Sequence, residues 1–424
     1  MYTVKFTSAG IREVNITVKG APNSFHLSYG FFHFGEGFRT VLFTWYVAIH
    51  LGMSSEQVGF LQTLSRSPFL LFLVFGGIIS DKLGVFRTFT VVSSIYALTL
   101  IGVGITTHFW GGSYAVVIGL SIVSGFASAI CSPAIDTFIP HSTQNSAETN
   151  SVDASLIYNA AKLLGTFSNI FVSFAGAAAG FILNSVPYFL GVVFLANHVR
   201  LRGIKDEINI GEREHRKFGS LKSATVHLMS NPKCRDIVFS SALNGLFSAP
   251  IGFIILPFII RENFHGYIDV LVLPYITYWF GAILASSAAK RYLQRITWLG
   301  NVSLVLWLCA GVSIMALPFV KTFVLLCVVL FLVGFFVSAA KPLLYGYYLK
   351  HAPVSEKALL VSIDQMAFWI MATINITLMG QFMGAWGVNN AVIGNSVIFI
   401  ALVGVLALRN NIGSITNEDV YVKA

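Results

Sequence analysis

FVLLCVVLFLVGFFVSAA, residues 323–340, carries no charge and has Ser338 as its one hydroxyl. A helix rises about 1.5 Å per residue, so such a run crosses most of a hydrocarbon layer about 30 Å thick. Comparable runs recur along the chain. With loop breakers between them they read as spans at roughly 27–50, 57–80, 88–107, 113–135, 151–173, 177–198, 236–260, 269–289, 297–318, 322–346, 357–382 and 389–408. An all-α membrane protein with about twelve crossings is predicted. Composition agrees: 55% of residues are hydrophobic and 11% charged, with a mean hydropathy of +0.75. One soluble core of this length cannot hide so much apolar surface.

The net charge of +9 would fit a nucleic-acid binder only if its basic residues clustered on one soluble face. Instead they fall in alternate loops. One side takes Lys5, Arg12 and Lys19 of the leader, Lys82 and Arg87, the run from Arg200 to Arg235, Lys290, Arg291 and Arg295, Lys350 and Lys357, and Arg409 and Lys423. The other side has Arg261 and Lys321. The positive-inside rule then puts both termini in the cytoplasm, with lipid headgroups rather than nucleic acid as the partner of these charges. The expected organisation is a cytoplasmic leader (1–26), a first helical bundle (27–199), a central cytoplasmic loop (200–235), a second bundle (236–409) and a cytoplasmic tail (410–424).

The leader shows no short apolar core followed by a small-residue cleavage site, so no removable signal peptide is expected. Its Val4, Phe6, Val14, Ile16 and Val18 alternate loosely, as in a short strand or an amphipathic surface patch. Cys131, Cys234, Cys309 and Cys327 have neither paired nor metal-ligand spacing. Neither disulfides nor a metal is expected.

Residues 77–87, GIISDKLGVFR, resemble the loop signature of the major facilitator superfamily: a glycine, then Asp-Lys-x-Gly, then a basic residue. The resemblance implies the major facilitator fold, two six-helix bundles, with Gly77, Asp81, Lys82, Gly84 and Arg87 as a gating loop. The corresponding loop of the second half, SSAAKRYLQRIT (286–297), keeps basic residues but not the acid or the glycine. A longer stretch is similar to the branch holding the enterobactin exporter and macrolide efflux proteins. It runs from Pro133 through TFIPHSTQNSAETNSVDASLIYNAAKLLGT (137–166) and GFILNSVPYFLGVVFLANHVRLR (180–202) to SLKSATVHLMSNPKCRDIVFSSALNGLFSAP (220–250). Lys162 stands where the branch has arginine, Thr166 where it has proline, and Ser121 near the place of an arginine common in span four. The resemblance implies an exporter in the bacterial inner (plasma) membrane, monomeric and driven by a proton gradient.

Ionisable residues inside a bilayer are costly and face a cavity or a partner. Glu36, Arg39, Arg66, Lys162, Lys341 and Asp364 are the candidates. His33, Glu36 and Arg39 recur at a spacing of three on one helix face, and Gly35 and Gly37 admit close approach. Glu36, with or without His33, is the candidate for proton coupling; a static Glu36–Arg39 pair is the structural alternative. Arg39, Arg66 and Lys162 are candidate substrate-binding residues, Arg66 through a two-pronged grip on a carboxylate or else as a partner of Glu36. Lys341 and Asp364 read as a salt bridge or a gate. Asp136 and Asp153 read as ordinary helix-end charges. Tyr29, Tyr46, Tyr158, Trp279 and Trp369 offer stacking surfaces.

Basic residues outnumber acids among these candidates, so an anionic small molecule is the expected cargo. A siderophore rich in carboxylate or catecholate groups fits best among the cargoes that the resemblance implies. Multidrug or macrolide efflux, and uptake of an organic anion or siderophore, stay open. No GxSxG, HExxH or GxxxxGK sequence is present, so neither an enzyme nor a nucleotide-driven pump is expected, and no cofactor beyond the ion gradient.

Overall fold

The computed structural model describes residues 24–68, 84–136, 138–139, 147–202, 221–264, 267–292, 295–353 and 357–420. These are helical with short connections, and no strand occurs among them. The loosely alternating leader, with Gly77, Asp81 and Lys82 of the gating loop, lies outside the described residues.

In chain order the helices are α1 (Ser24–Trp45), continued by a π-helical turn (Tyr46–His50), α2 (55–68), α3 (Val85–Trp110), α4 (Tyr114–Asp136), α5 (Ala147–Ser168) and α6 (Val172–Arg202). After them come α7 (Leu221–Ser230), α8 (Pro232–Pro250), a second π-helical turn (Ile251–Ile255), α9 (Leu256–Asn263), α10 (Ile268–Tyr292), α11 (Leu299–Ala316), α12 (Phe323–His351), α13 (Lys357–Trp386), α14 (Val388–Arg409) and α15 (Asn417–Val420). Among the described residues, 9 helices are long and apolar enough to cross a membrane. One of them, Leu156–Arg200, runs 45 residues, about twice what one crossing takes. Gly176, at φ 82, interrupts its helical backbone. α1 is outside the nine; Glu36 and Arg39 sit at its middle.

Local chemistry sets the helix ends. Asn231 caps α8, its side-chain oxygen accepting from Cys234 N at 3.1 Å, and Pro232 starts the helix where no N–H is needed. Gly84, at φ 85, precedes the first residue of α3, which explains the glycine of the loop signature; Arg87 is exposed one turn on. Hydropathy marks the span around 322–346, yet α12 continues to His351, because the helix carries Lys350 and His351 beyond the apolar layer. The central polar segment contains α7, whose buried Ala224 and Leu228 sit a turn apart.

Packing follows a repeated scheme. α1 lies against α5 and α6, and α3 against α4 and α6. In the second half α8 lies against α13, and α11 against α12 and α14. At both α1/α5 and α8/α13 a glycine lets the backbones meet. A Cβ on Gly37 would fall 2.5 Å from the Lys162 carbonyl, and one on Gly245 would collide with the Phe368 carbonyl. Small residues at such crossings are how apolar helices associate without a hydrophobic drive from water. Large apolar side chains such as Phe174 and Leu408 point outward, each 86% exposed, as lipid-facing residues do.

Candidate functional site

A cavity of about 460 Å³ lies between α1, α2, α4, α5, the second π turn and α13. Its walls are helix stripes at spacings of three and four. α1 gives Tyr29, His33, Glu36 and Thr40, with Arg39 beside them; α4 gives Ser128, Ser132 and Asp136; α5 gives Tyr158 and Lys162; α13 gives Gln365, Trp369 and Thr373. Ser65 and Arg66 of α2 and Phe253 of the π turn close the wall. The charges come from the first half of the chain. The second half supplies aromatic and neutral polar groups.

Glu36 is held on all sides. Arg39 donates to it twice, Nη2 to Oε2 at 2.9 Å and Nε to Oε1 at 3.3 Å. Tyr188 of α6 adds a hydroxyl bond of 2.8 Å, and Ser128 one of 3.4 Å. The glycines on either side of Glu36 are used by the protein itself: Gly35 makes room for the Tyr188 ring, Gly37 for the α5 backbone. The carboxylate and the guanidinium are both buried, and paired charges with satisfied lone pairs are the form in which buried ions persist. Arg39 is thereby electrically neutralised.

Arg66 and Lys162 are not. Neither has an acidic partner within ion-pair distance among the described residues. The Arg66 guanidinium instead lies 3.6 Å from the Phe253 ring centroid and 5.8 Å from that of Trp369, and its buried Nε has no hydrogen-bond partner among the described residues. Lys162 Nζ stands 5.0 Å from the Tyr158 ring. The alternative in which Arg66 pairs with Glu36 is absent; Glu36 pairs with Arg39. His33 is 4% exposed and neither ring nitrogen is hydrogen-bonded among the described residues. It sits edge-on to Tyr29 and Tyr158, at 4.4 and 4.5 Å, and makes no bond to Glu36.

The remaining candidates separate. Lys341 Nζ and Asp364 Oδ2 form an ion pair of 2.7 Å between α12 and α13, off the cavity wall, with Asp364 wholly buried. Tyr46 bonds Thr107 at 2.8 Å, away from the site; Trp279 is not on the wall, whereas Tyr29, Tyr158 and Trp369 are. Asp136 corrects the sequence reading: it ends α4 but lines the cavity, because the α4 stripe from Ser128 runs to the helix end. Phe253, Tyr188 and the hydroxyl stripe of α4 were not anticipated. The stripe has a sequence signal, Ser128-x-x-x-Ser132-x-x-x-Asp136; Phe253 sits in the apolar IGFII and has none.

The cavity reaches the exposed end at which α1 begins and α4 stops. The opposite end is shut by contacts between the halves. Arg261 Nη1 donates to the carbonyls of Ala48 (2.9 Å) and Met53 (2.8 Å). Gln62 donates to the Phe253 carbonyl at 3.2 Å, and Thr63 and Thr377 share a 2.5 Å hydroxyl contact. α2 and α13 touch through Gly59 and Gly380, where an added Cβ on the former would sit 3.2 Å from the Cα of the latter. No group of metal-binding side chains occurs among the described residues.

Solved transporter structures share this architecture. The nucleoside transporter NupG superposes with a TM-score of 0.72 at 12% identity, over 91% of this chain and 98% of that one. A POT peptide transporter in complex with sulfate gives 0.69 at 14% identity, over 93% and 95%. A bacterial homolog of the human lysosomal transporter Spinster, inward-facing and unoccupied, gives 0.66 at 14% identity, over 95% and 98%. Identities this low carry the fold alone. No curated protein matches the sequence. The transmembrane secretion effector family matches residues 28–421, and with a polar cavity between apolar helices and a transporter fold, the chain belongs to that family as a multi-pass membrane transporter of the major facilitator type.

Proposed function

We propose that the protein is a secondary active transporter that exports an anionic siderophore across the bacterial inner membrane by proton-coupled alternating access. In this reading about twelve spans form two bundles of roughly six helices, which rock about the cavity between them. The repeated packing of α1 on α5 and α8 on α13 supports two like halves. With the termini in the cytoplasm, a cavity open at their end and shut at the other is inward-open. That is the state in which an exporter loads.

The observation that carries the cargo class is the pair of cations without carboxylate partners among the described residues, Arg66 and Lys162, on the wall of one cavity. The nearby Glu36–Arg39 pair adds no net charge. Asp136 at the rim offsets one of the two, and basic residues still outnumber acids on the wall; a site in low dielectric with excess positive charge favours an anion over the cations typical of drug efflux. Glu36 is the coupling acid in this scheme, since it is the wall carboxylate bound to both a cation and a second helix.

The test is a deletion strain grown in iron-poor medium, with siderophore measured in cells and medium and the strain restored with native protein or Glu36→Gln. Intracellular build-up rescued by the native chain alone supports the proposal. Unchanged secretion rejects siderophore export and puts multidrug or macrolide efflux, then uptake of an organic anion or siderophore, in its place.

A further inference from the structure

Phe253 occupies the middle of the π-helical turn Ile251–Ile255, directly after Pro250. A π turn inserted in a helix displaces backbone hydrogen bonds, and such turns recur at functional sites. Here side chains of other helices donate to carbonyls of the turn: Tyr275 to Gly252 O, and Gln62 to Phe253 O at 3.2 Å. Gln62 is one turn from Arg66 on the same face of α2. α2 therefore holds Phe253 at two points, by its carbonyl through Gln62 and by its ring through Arg66 at 3.6 Å. One point belongs to the closed end. The other belongs to the cavity wall.

We propose that Phe253 is a positioning residue that links occupancy of the cavity to opening of the closed end. The inference rests on the reading of Arg66 as a cargo-binding cation. A guanidinium stacked on a ring keeps its N–H edges free for a carboxylate. Its attraction to the ring depends on its positive charge facing the ring's negative face. An anion bound at those edges offsets the charge and weakens the contact across the halves, while the Gln62 bond, the Thr63–Thr377 contact and the Arg261 bonds remain. Loading from the open end thus loosens one of the ties that keep the other end shut, and does so without a change in shape at the site. An empty carrier, whose Arg66 keeps its full charge, stays closed there.

The experiment reads the closed end directly. Spin labels on Ser113→Cys and Asn389→Cys, both exposed at that end, the first in the loop before α4 and the second in the first turn of α14, report the separation of the halves in full-length protein in lipid, with no cargo added and the native cysteines replaced by alanine. Phe253→Leu keeps the carbonyl for Gln62 and removes the ring. It is expected to raise the open-to-closed ratio about tenfold, the order of one desolvated cation–π contact. Arg66→Gln, which also loses the approach to Trp369, gives at least that shift, the double variant gives no more than Arg66→Gln alone, and Phe253→Trp keeps the native ratio. No shift in either single variant, or shifts that multiply in the double, overturns the proposal. If Phe253→Leu does not fold, Arg66→Gln against Arg66→Gln/Phe253→Trp carries the same comparison: equal ratios support the link, and a further shift overturns it. Transport by Arg66→Gln is measured beside the labels. Population shifts with unimpaired transport retain the clamp but overturn its link to cargo, which separates failure of the cargo reading from failure of this inference.

Discussion

The Tyr188 hydroxyl donates a 2.8 Å hydrogen bond to Glu36 Oε1, and its ring lies where a Cβ on Gly35 would stand. The bond therefore depends on two positions in different helices. Tyr188→Phe removes a hydrogen bond to a buried charge and is expected to lower stability by about 1.5–3 kcal/mol. Gly35→Ala should cost at least as much, since the added methyl meets ring carbons at 2.8 Å and must push the ring off the carboxylate. Thermal unfolding of the purified proteins in detergent checks both; a Gly35→Ala protein as stable as the native one contradicts the geometry.

Glu36 and Arg39 behave as a unit. Removing either leaves the other as an uncompensated buried charge, so Glu36→Leu and Arg39→Met should each destabilise by about 3–5 kcal/mol. Together they should recover much of that loss, because neither charge is then stranded. A double variant as unstable as the sum of the singles would mean that the two residues do not compensate each other. Transport must be lost in the double variant even where stability returns, if Glu36 couples cargo to protons.

Arg66 and Lys162 differ in what a conservative change does to them. Each charged hydrogen bond to cargo is worth about 1.5–3 kcal/mol, so Ala at either position should weaken anion binding by about 10- to 100-fold. Arg66→Lys should fail to rescue, because a lysine supplies neither the planar fork nor the stacking face that Phe253 and Trp369 support. Lys162→Arg should retain transport, since arginine supplies the same charge over the Tyr158 ring. Transport rates of the four variants, normalised to the amount in the membrane, decide it.

The charges of the site were legible in the sequence because a membrane makes every ionisable residue conspicuous: Glu36, Arg39, Arg66 and Lys162 all reach the cavity. Their pairing was legible only as alternatives: the sequence offered a Glu36–Arg39 pair beside a Glu36–His33 one, and the structure forms the first. His33 and Arg39 are both three residues from Glu36, and hydropathy gives no reason why the arginine bonds it while the histidine turns to Tyr29 and Tyr158. Phe253 and Tyr188 were illegible for a different reason: an aromatic residue in an apolar span looks the same whether it faces lipid, core or cargo. Asp136 was misread because a helix end in water and a helix end on a cavity rim have the same composition. From α3 onward the span positions were legible, whereas α1 falls outside the nine apolar helices and the span read at 57–80 runs beyond the described residues; where each helix stops was set by caps such as Gly84 and Asn231 and by basic ends beyond the apolar layer.

Lys341 and Asp364 are joined by a 2.7 Å bond, yet they are not equally buried: the lysine side chain is 32% exposed and the aspartate 0%. The two halves of the pair should therefore respond unequally to substitution. Lys341→Met strands a carboxylate whose second oxygen already lacks a hydrogen-bond partner among the described residues, so the loss should approach about 3–5 kcal/mol. Asp364→Asn leaves a lysine that extends toward water, at about 1–2 kcal/mol. Melting temperatures of both variants test the asymmetry. Equal losses would show that Lys341 is as confined as its partner, and a stable Lys341→Met protein that fails to transport would move the pair from anchoring α12 on α13 to gating between states.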